Sequence, residues 1–236
     1  MNVTGLVVNL NSENPDKLRA FYRDLIGLKP HPQRGEGVLM AASTPFAISH
    51  HSDLSGPAKE PPRTLFNFKV DDVPKDQARL EAAGVRFLGA PSNQPISFST
   101  FVDPDGNYGQ IFSMEGAPPG DMFAISRHSA DVDRLRDFLR HVVGLSDDYP
   151  DIGNPFMAGG TSFYASPHSD IRGDTQEPAR VILNLFVDDI AAEEAQLEAA
   201  GVRFIRCQGR EDWGGVISTF LDPDGGYLQL IEFKQE

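Results

Sequence analysis

The chain has 236 residues, and its 21 lysines and arginines against 34 aspartates and glutamates give a formal net charge of −13. We do not expect so acidic a protein to bind nucleic acid, whose phosphates require a basic surface. Its single cysteine, Cys207, excludes an internal disulfide and a metal site made of several thiolates. No apolar run approaches the roughly 18 residues of a membrane helix, and residues 6–10 do not resemble a signal peptide. We therefore expect a cytoplasmic protein without a membrane partner.

Strand and helix patterns alternate along the first half of the chain. A strand is predicted over residues 6–10, followed by a helix that begins at Asn14, a residue suited to the N-cap, and stops at Gly27. A second helix is predicted from Pro74 to Ala83. Further strands are predicted near residues 38–42, 46–49, 65–70, 85–88, 97–102 and 108–114. The half therefore contains two units, each made of a strand, a helix and several strands.

The second half of the chain repeats the first. The segment LEAAGVRF at residues 80–87 returns at 197–204, and STFVDPDG at 99–106 returns as STFLDPDG at 218–225. The offset is 117 residues up to the loop near Trp213 and 119 residues after it. A period this long indicates a duplicated domain, because solenoid repeats are roughly 20–50 residues long. We predict one domain over residues 1–116, a linker at 117–120 and a second domain over 121–236.

Charge is distributed unevenly between the halves. Residues 1–118 carry 11 basic and 13 acidic side chains, a net charge of −2, whereas residues 119–236 carry 10 basic and 21 acidic side chains, a net charge of −11. Solubility alone explains such an excess. The alternative interpretation is that the second half prefers a neutral or cationic ligand.

Alternation along the central strands separates an apolar face from a mixed face. In the strand at residues 65–70, Phe66 and Phe68 point one way, whereas Asn67 and Lys69 point the other way. In the second copy Asn184 takes the place of Asn67. The apolar face is expected to pack under the helices. The mixed face of a curved sheet is expected to form a pocket.

These motifs together resemble the vicinal oxygen chelate superfamily, which includes glyoxalase, bleomycin-resistance proteins and extradiol dioxygenases. The segments that carry the resemblance are NPDKLRAFYRDLIG at residues 14–27, the Val-Asp-Asp helix starts, LEAAGV and DPDGNY. The resemblance implies an α+β fold of tandem glyoxalase-like domains. It implies four βαβββ modules whose curved mixed sheets form cups, with helices on the outer face.

Catalytic members of this superfamily usually bind a divalent metal through side chains on the first strand, on the strand before Val-Asp-Asp and on the last strand. The matching positions, counted from the shared motifs, are Val7, Leu65, Gln110, Ala124, Ile182 and Gln229. None is His, Cys, Asp or Glu, and hydrocarbon side chains have no donor atoms. We therefore predict neither a metal site nor another cofactor.

Two further motifs have a structural and a catalytic interpretation. His51-Ser52-Asp53 recurs at residues 168–170, where a His and an Asp could orient a general base. The favoured alternative is a turn at the end of a strand. The Asp-Pro-Asp-Gly segments at 103–106 and 222–225 are turn signals, and the acidic pairs before the second and fourth helices suit helix caps.

Amides and aromatic rings are the better pocket candidates, because amides suit a neutral polar ligand. The candidate ligand-binding residues are Asn67, Tyr108, Gln110, His128, Asn184, Trp213, Tyr227 and Gln229. Trp213 is either a lid that stacks on a planar ligand or a side chain packed on the surface of its own domain. The other side chains could instead form a polar network that fills the cup. If one cup alone is functional, the second half is favoured.

Three functions follow from this pattern. The favoured one is a protein that binds a small molecule without catalysis. The second is an enzyme of the superfamily, either a metal-dependent lyase, transferase or dioxygenase or a metal-free isomerase, whose catalytic residues the sequence does not identify. The third is a module whose cups mediate association. The sequence leaves open whether modules pair within or across the halves, and whether the chain forms a homodimer.

Overall fold

The computed structural model describes residues 1–94, 96–115, 122–147 and 156–233. The predicted linker at residues 117–120 lies outside the described residues. None of the helices in the described ranges is long and apolar enough to cross a membrane.

Four α-helices and two sheets make up the described structure. The helices are α1 (Pro15–Ala20), α2 (Val73–Ala82), α3 (Val132–Asp137) and α4 (Ile190–Ala199). Helical turns of the π type continue α1 over Phe21–Ile26 and α3 over Phe138–Val142, and a 3₁₀ turn covers Pro61–Arg63. The strands of the first half are β1 (Gly5–Asn11), β2 (Lys29–His31), β3 (Gly35–Ala41), β4 (Thr44–Ser49), β5 (Thr64–Lys69), β6 (Arg86–Phe87), β7 (Ser92–Gln94), β8 (Ile96–Val102) and β9 (Tyr108–Met114). The strands of the second half are β10 (Phe123–Ser129), β11 (Ser146–Asp147), β12 (Phe156–Ala158), β13 (Thr161–Pro167), β14 (Val181–Phe186), β15 (Phe204–Arg210), β16 (Gly215–Leu221) and β17 (Tyr227–Phe233).

The predicted modules are present in the predicted order. The first module contains β1–β4, the second β5–β9, the third β10–β13 and the fourth β14–β17, each with one α-helix after its first strand. Two short strands, β2 and β7, were not predicted, and the strand predicted at residues 85–88 is reduced to the two residues of β6. The α+β class and the tandem glyoxalase-like organisation are confirmed.

The modules pair across the two halves of the chain. Sheet A has the strand order β15-β16-β17-β14-β1-β4-β3-β2 and therefore joins the fourth module to the first. Sheet B has the order β11-β12-β13-β10-β5-β9-β8-β6, with β7 beside β8, and joins the third module to the second. The central contacts are antiparallel, between β1 and β14 in sheet A and between β5 and β10 in sheet B. The question that the sequence left open is thus answered, because each sheet contains strands from both halves.

Local signals fix the helix starts as predicted. The side chain of Asn14 accepts a hydrogen bond from the backbone N–H of Lys17 at 3.2 Å, and Gly27 ends the helical segment with a φ of 95°. Asp72 and Asp189 accept equivalent bonds at the starts of α2 and α4, each at 3.0 Å. The acidic pairs before these helices therefore contribute caps.

The apolar faces of both sheets contribute to one hydrophobic core. Phe46 of the first module packs edge-on against Phe66 of the second at a centroid distance of 5.0 Å, and Phe68 lies 5.3 Å from Phe123 of the third. Leu183 and its neighbours on β14 join the same cluster. The predicted separation of faces is confirmed, and the opposite faces of the sheets are left free to form cups.

The Asp-Pro-Asp-Gly turns also join modules. Asp222, in the turn after β16, forms a buried ion pair at 2.7 Å with Arg127 of β10, so it links sheet A to sheet B. In the other copy Asp103 accepts a hydrogen bond from the hydroxyl of Tyr22 at 3.1 Å. Removal of one partner from such a buried pair leaves an uncompensated charge. These turns therefore have the structural role that was predicted for them.

Candidate functional site: two cups of unequal lining

The concave face of sheet A encloses a cavity of about 560 Å³, which we call cup A. The first and fourth modules both contribute to it. The lining includes Val7, Asn9, Arg34, Ala47, Asn184, Phe186, Trp213, Gln229 and Phe233.

Strand register explains why the polar side chains that line cup A are close to one another. Val7 on β1 is directly opposite Asn184 on β14, which in turn is opposite Gln229 on β17. Side chains that are paired across neighbouring strands point to the same face of a sheet. Asn9, two residues along β1 from Val7, therefore reaches the same cavity, as does its partner Ala47 on β4.

The carboxamides of cup A present oxygen atoms to the cavity. Asn184 donates its Nδ2 to the carbonyl oxygen of Val7 at 3.2 Å, and Gln229 donates its Nε2 to the hydroxyl of Thr219 at 2.9 Å. Their nitrogen atoms are therefore held by the sheet, and their oxygen atoms accept no bond from the described residues. The Oδ1 of Asn9 is buried and likewise lacks a partner in the described part of the chain. The oxygens of Asn184 and Gln229 are therefore the acceptors available to N–H or O–H donors of a ligand.

Aromatic rings line the mouth of cup A. The rings of Trp213 and Phe233 lie 5.5 Å apart at 60°, and Phe186 lies 5.5 Å from Phe233 at 40°. Trp213 is 53% exposed and Phe233 is 49% exposed, so part of each side chain remains accessible to a ligand. The guanidinium carbon of Arg34 lies 5.4 Å from the centroid of the Phe233 ring.

Gly215 permits the position of Trp213. A Cβ atom at residue 215 would lie 1.8 Å from Cζ3 of the indole, a distance at which one of the two groups must move. The equivalent residue of the first copy, 119 positions earlier, is Ile96. The glycine beside the tryptophan is therefore a sequence signal for a ring that lies against the strand.

Sheet B forms the corresponding cup B, with a cavity of about 380 Å³. Asn67 donates its Nδ2 to the hydroxyl of Ser126 at 3.0 Å, and Gln110 donates its Nε2 to Thr100 at 2.9 Å. Asn67 and Gln110 are paired across β5 and β9, as Asn184 and Gln229 are paired across β14 and β17. Both cups therefore have the same polar frame.

The cups differ where side chains reach into the cavity. Tyr164 lines cup B at the position that Ala47, 117 residues earlier, occupies in cup A. A phenol ring occupies space that a methyl group leaves free, so this difference makes cup B smaller than it would be with an alanine. Met114 of cup B likewise corresponds to Phe233 of cup A.

The eight residues predicted from the sequence are divided between these sites. Asn184, Trp213 and Gln229 line cup A, whereas Asn67 and Gln110 line cup B. The other three residues are outside the lining of both cavities, and they are Tyr108, His128 and Tyr227.

The histidines near the ends of the strands form local contacts. His128 is buried, and its Nδ1 hydrogen-bonds the carbonyl oxygen of Pro62. Burial is the largest cause that lowers the pKa of His128, and the neighbouring His168 lowers it further. The Nδ1 atoms of His51 and His168 accept backbone N–H bonds from Asp53 and Asp170, at 3.2 and 3.1 Å. Both His-Ser-Asp segments are therefore turns, as the favoured interpretation predicted.

Sequence reasoning missed Arg34, Phe233 and Tyr164. Phe186 had a usable signal, since it shares the face of Asn184 in the strand alternation. Arg34 and Ala47 had none, because they belong to the first module whereas Trp213 belongs to the fourth, and their proximity depends on the contact between β1 and β14.

The lining of the cups does not fit the metal site of the superfamily. Val7 and Gln229 lie in cup A, and Ala124 and Gln110 lie in cup B. Among the described residues, neither lining includes a His, Cys, Asp or Glu side chain. Neutral carboxamides and hydrocarbons are poor ligands for a divalent transition metal.

A group of possible metal ligands does lie elsewhere. Glu194 and Glu198 on α4 lie close to Cys207 on β15. The buried carboxylate of Glu194 already accepts the backbone N–H of Gln208 at 3.2 Å. These three residues are not part of the lining of either cup.

Comparison with known proteins agrees with this architecture. The model of the glyoxalase/bleomycin resistance protein/dioxygenase superfamily matches residues 6–111, and a glyoxalase-like domain model matches residues 123–231. No curated protein matches the sequence.

Glyoxalase I from Zea mays has a similar structure, with a TM-score of 0.64 and 16% identity over 98% of this chain and 92% of that chain. A putative dioxygenase from Bacillus subtilis has a TM-score of 0.66 and 12% identity over 99% of this chain and 86% of that chain. At these identities the structural similarities establish the fold alone. The two family models, together with the four modules of the structure, show that the chain belongs to the glyoxalase/bleomycin resistance protein/dioxygenase superfamily.

Proposed function

We propose that this protein binds a small organic molecule in cup A, through its own side chains and without a metal ion. The observation that supports this most strongly is the cavity of about 560 Å³, which has aromatic rings at its mouth and carboxamide side chains whose nitrogens are held by the sheet. Ligand sites are typically of this size, apolar in most of their lining, with a few placed polar groups.

The chemistry of the lining favours binding over catalysis. A general acid or base must gain and lose a proton near neutral pH. Among the described residues that line cup A, Arg34 is the one ionisable side chain, and a guanidinium does not release its proton in proteins. Metal catalysis would need charged or imidazole ligands that this lining does not supply.

The partner that we expect is therefore a small molecule in the cytoplasm, and not nucleic acid or a membrane. The acidic composition and the single cysteine support this expectation. Binding in cup A requires no homodimer, since the cup is formed by strands of one chain.

The test uses a substitution for which the chain itself provides the precedent. Ala47→Tyr places in cup A the residue that cup B has at the equivalent position. Native mass spectrometry of the purified protein identifies a co-purified guest, and titration calorimetry measures its affinity. We expect Ala47→Tyr to lower that affinity at least ~30-fold, since overlap with a ligand costs about 2 kcal/mol or more.

The matched control is Tyr164→Phe, which changes cup B and leaves cup A intact. We expect it to bind the guest as the unmodified protein does. Equal affinity of the Ala47→Tyr variant and the unmodified protein, in a variant with an unchanged circular dichroism spectrum, would place the guest outside cup A and refute the proposal.

A further inference from the structure

The position of Arg34 at the mouth of cup A is built by a local turn. Nδ1 of His31 accepts the backbone N–H of Arg34 at 3.2 Å and that of Gln33 at 3.1 Å. Gly35 follows with a φ of 64°, a conformation that favours glycine. The turn carries the guanidinium to a position over the ring of Phe233.

Arg34 also lacks a carboxylate partner, although the chain is acidic. Most arginines in the described ranges form ion pairs, including the buried Arg63, Arg127 and Arg180. Arg34 forms none with a described residue, and the described lining of cup A has no acidic side chain. The cup therefore contains a guanidinium that forms no ion pair with a described carboxylate.

The aromatic rings beside Arg34 favour a planar ligand. Trp213 and Phe233 are half exposed and lie at 60° to each other, so a planar ring that stacks on one and meets the edge of the other removes apolar surface from water. Guanidinium and carboxylate groups form two parallel hydrogen bonds when they meet in one plane. A flat molecule with an acidic group on its edge satisfies both features.

We propose that cup A selects a planar organic anion, namely an aromatic or conjugated carboxylate. This inference rests on the proposed function and names the class of ligand. The ring lies against Trp213 and Phe233, and the carboxylate binds the guanidinium of Arg34. Deeper in the cup, the oxygens of Asn184 and Gln229 accept bonds from hydroxyl or amino groups on the far edge of the ring.

This proposal differs from the alternative interpretation that the second half prefers a neutral or cationic ligand. The acidic residues that make that half negative are outside the described lining of cup A, and Arg34 comes from the first half. A cationic ligand would find no carboxylate there, and Arg34 would repel it.

The experiment compares three probes of similar shape, which are 2-naphthoate, the neutral 2-naphthamide and the cationic 2-naphthylmethylammonium. Titration calorimetry measures each against the full chain. We expect 2-naphthoate to bind about 5–10-fold more tightly than 2-naphthamide, a difference typical of a charged hydrogen bond at a partly exposed site, and the cation to bind most weakly. Equal binding of the anion and the amide would overturn the inference.

Two arginine variants sharpen the comparison. Arg34→Gln is expected to lower the affinity for 2-naphthoate about 5–10-fold and to change that for 2-naphthamide less than about twofold. Arg86→Gln is the control, since Arg86 is exposed on β6 at the edge of sheet B and has no ion pair with a described residue. An equal loss for both probes in the Arg34→Gln variant would show a structural role for the arginine and would overturn the inference.

The Ala47→Tyr variant separates this inference from the proposed function. If the anion and the amide bind equally well and Ala47→Tyr abolishes both, cup A binds ligands but does not select an anion. If none of the three probes binds, the planar-anion inference is wrong, and the mass of the co-purified guest still decides the proposed function.

Discussion

Cups A and B share a polar frame and differ in what reaches into the cavity. In each cup an Asn and a Gln are paired across parallel strands, and the Gln donates to a Thr at 2.9 Å. The contacts that hold a sheet together are therefore the same in both copies. The residues that a ligand would meet differ, which indicates that function lies in the differences between the copies.

The mouths of the two cups show this divergence most clearly. Cup A has aromatic rings beside an arginine, whereas cup B has four apolar side chains that are each between 38% and 40% exposed. These are Ile96, Phe98, Met114 and Met122. An apolar mouth without a charged residue in the described lining suits an apolar ligand, so we expect cup B to bind 2-naphthoate poorly.

The largest difference in ligand affinity between variants of the two cups is expected from substitution of the asparagines in the shared polar frame. Asn184→Leu removes the bond to Val7 in sheet A, and Asn67→Leu removes the bonds to Ala124 and Ser126 in sheet B. Each is expected to lower the free energy of unfolding by about 1–2 kcal/mol. Only Asn184→Leu removes an acceptor from cup A. We expect it to lower the affinity for a guest with a hydroxyl or amino donor about tenfold.

Chemical denaturation and calorimetry on the two asparagine variants check this prediction. Similar losses of stability with a loss of affinity in one variant alone would support different roles for the cups. A loss of affinity in the Asn67→Leu variant would show that cup B takes part in binding.

A smaller effect is expected from the mouth of cup A. Trp213→Leu removes an aromatic face and is expected to weaken 2-naphthoate binding about 3–10-fold, with little change in stability because the side chain is half exposed. Trp213 is the single tryptophan, so its fluorescence in the unmodified protein reports this site alone. Binding that leaves the fluorescence unchanged would place the probe away from the mouth.

The smallest expected effect is on the pH dependence of stability, and it arises at the ends of β1 and β10. There the two copies use different side chains, Asn11 and His128, for the same hydrogen bond to a backbone carbonyl. Asn11, 117 residues before His128, donates to the carbonyl oxygen of Ala179 at 2.6 Å, much as His128 bonds Pro62. Because burial lowers the pKa of His128, the unfolded chain binds a proton more readily than the folded chain. The neutral, buried His128 therefore contributes its full share of the free energy of unfolding above about pH 6.5, the ordinary pKa of histidine. That contribution is lost as the pH falls below this value.

His128→Asn tests this interpretation, because asparagine retains a donor for Pro62 and does not titrate. We expect the variant to lie within about 0.5 kcal/mol of the unmodified protein at pH 8 and to lose less stability between pH 6.5 and pH 5. Denaturation curves at several pH values give both quantities. An identical pH dependence in the two proteins would assign the titration to other groups.

Much of the fold could be predicted from the sequence because its signals are local. The helix caps at Asn14, Asp72 and Asp189 and the alternation around Asn67 and Asn184 depend on residues that are close together in the chain. The duplication is read directly from matching segments of the sequence. The pairing of β1 with β14 could not be predicted, since antiparallel contact between distant strands leaves no local signal.

The candidate site could be predicted only in part, because local sequence signals do not give the extent of a cavity. Alternation identifies the face of a strand but not how far along the strand a cavity extends. Tyr108 and Tyr227 are the first residues of β9 and β17, whereas Gln110 and Gln229, two residues farther along, line the cavities. The same-face residues at the strand ends were therefore included in the predicted site, whereas residues from the other half, such as Arg34, were not.

Native mass spectrometry combined with elemental metal analysis on one purified sample tests whether the protein binds an organic molecule without a metal ion. We predict an organic guest on the folded protein, substoichiometric zinc, iron, manganese and nickel, and retention of the guest after treatment with EDTA. A stoichiometric transition metal whose removal by EDTA also releases the guest would contradict the account.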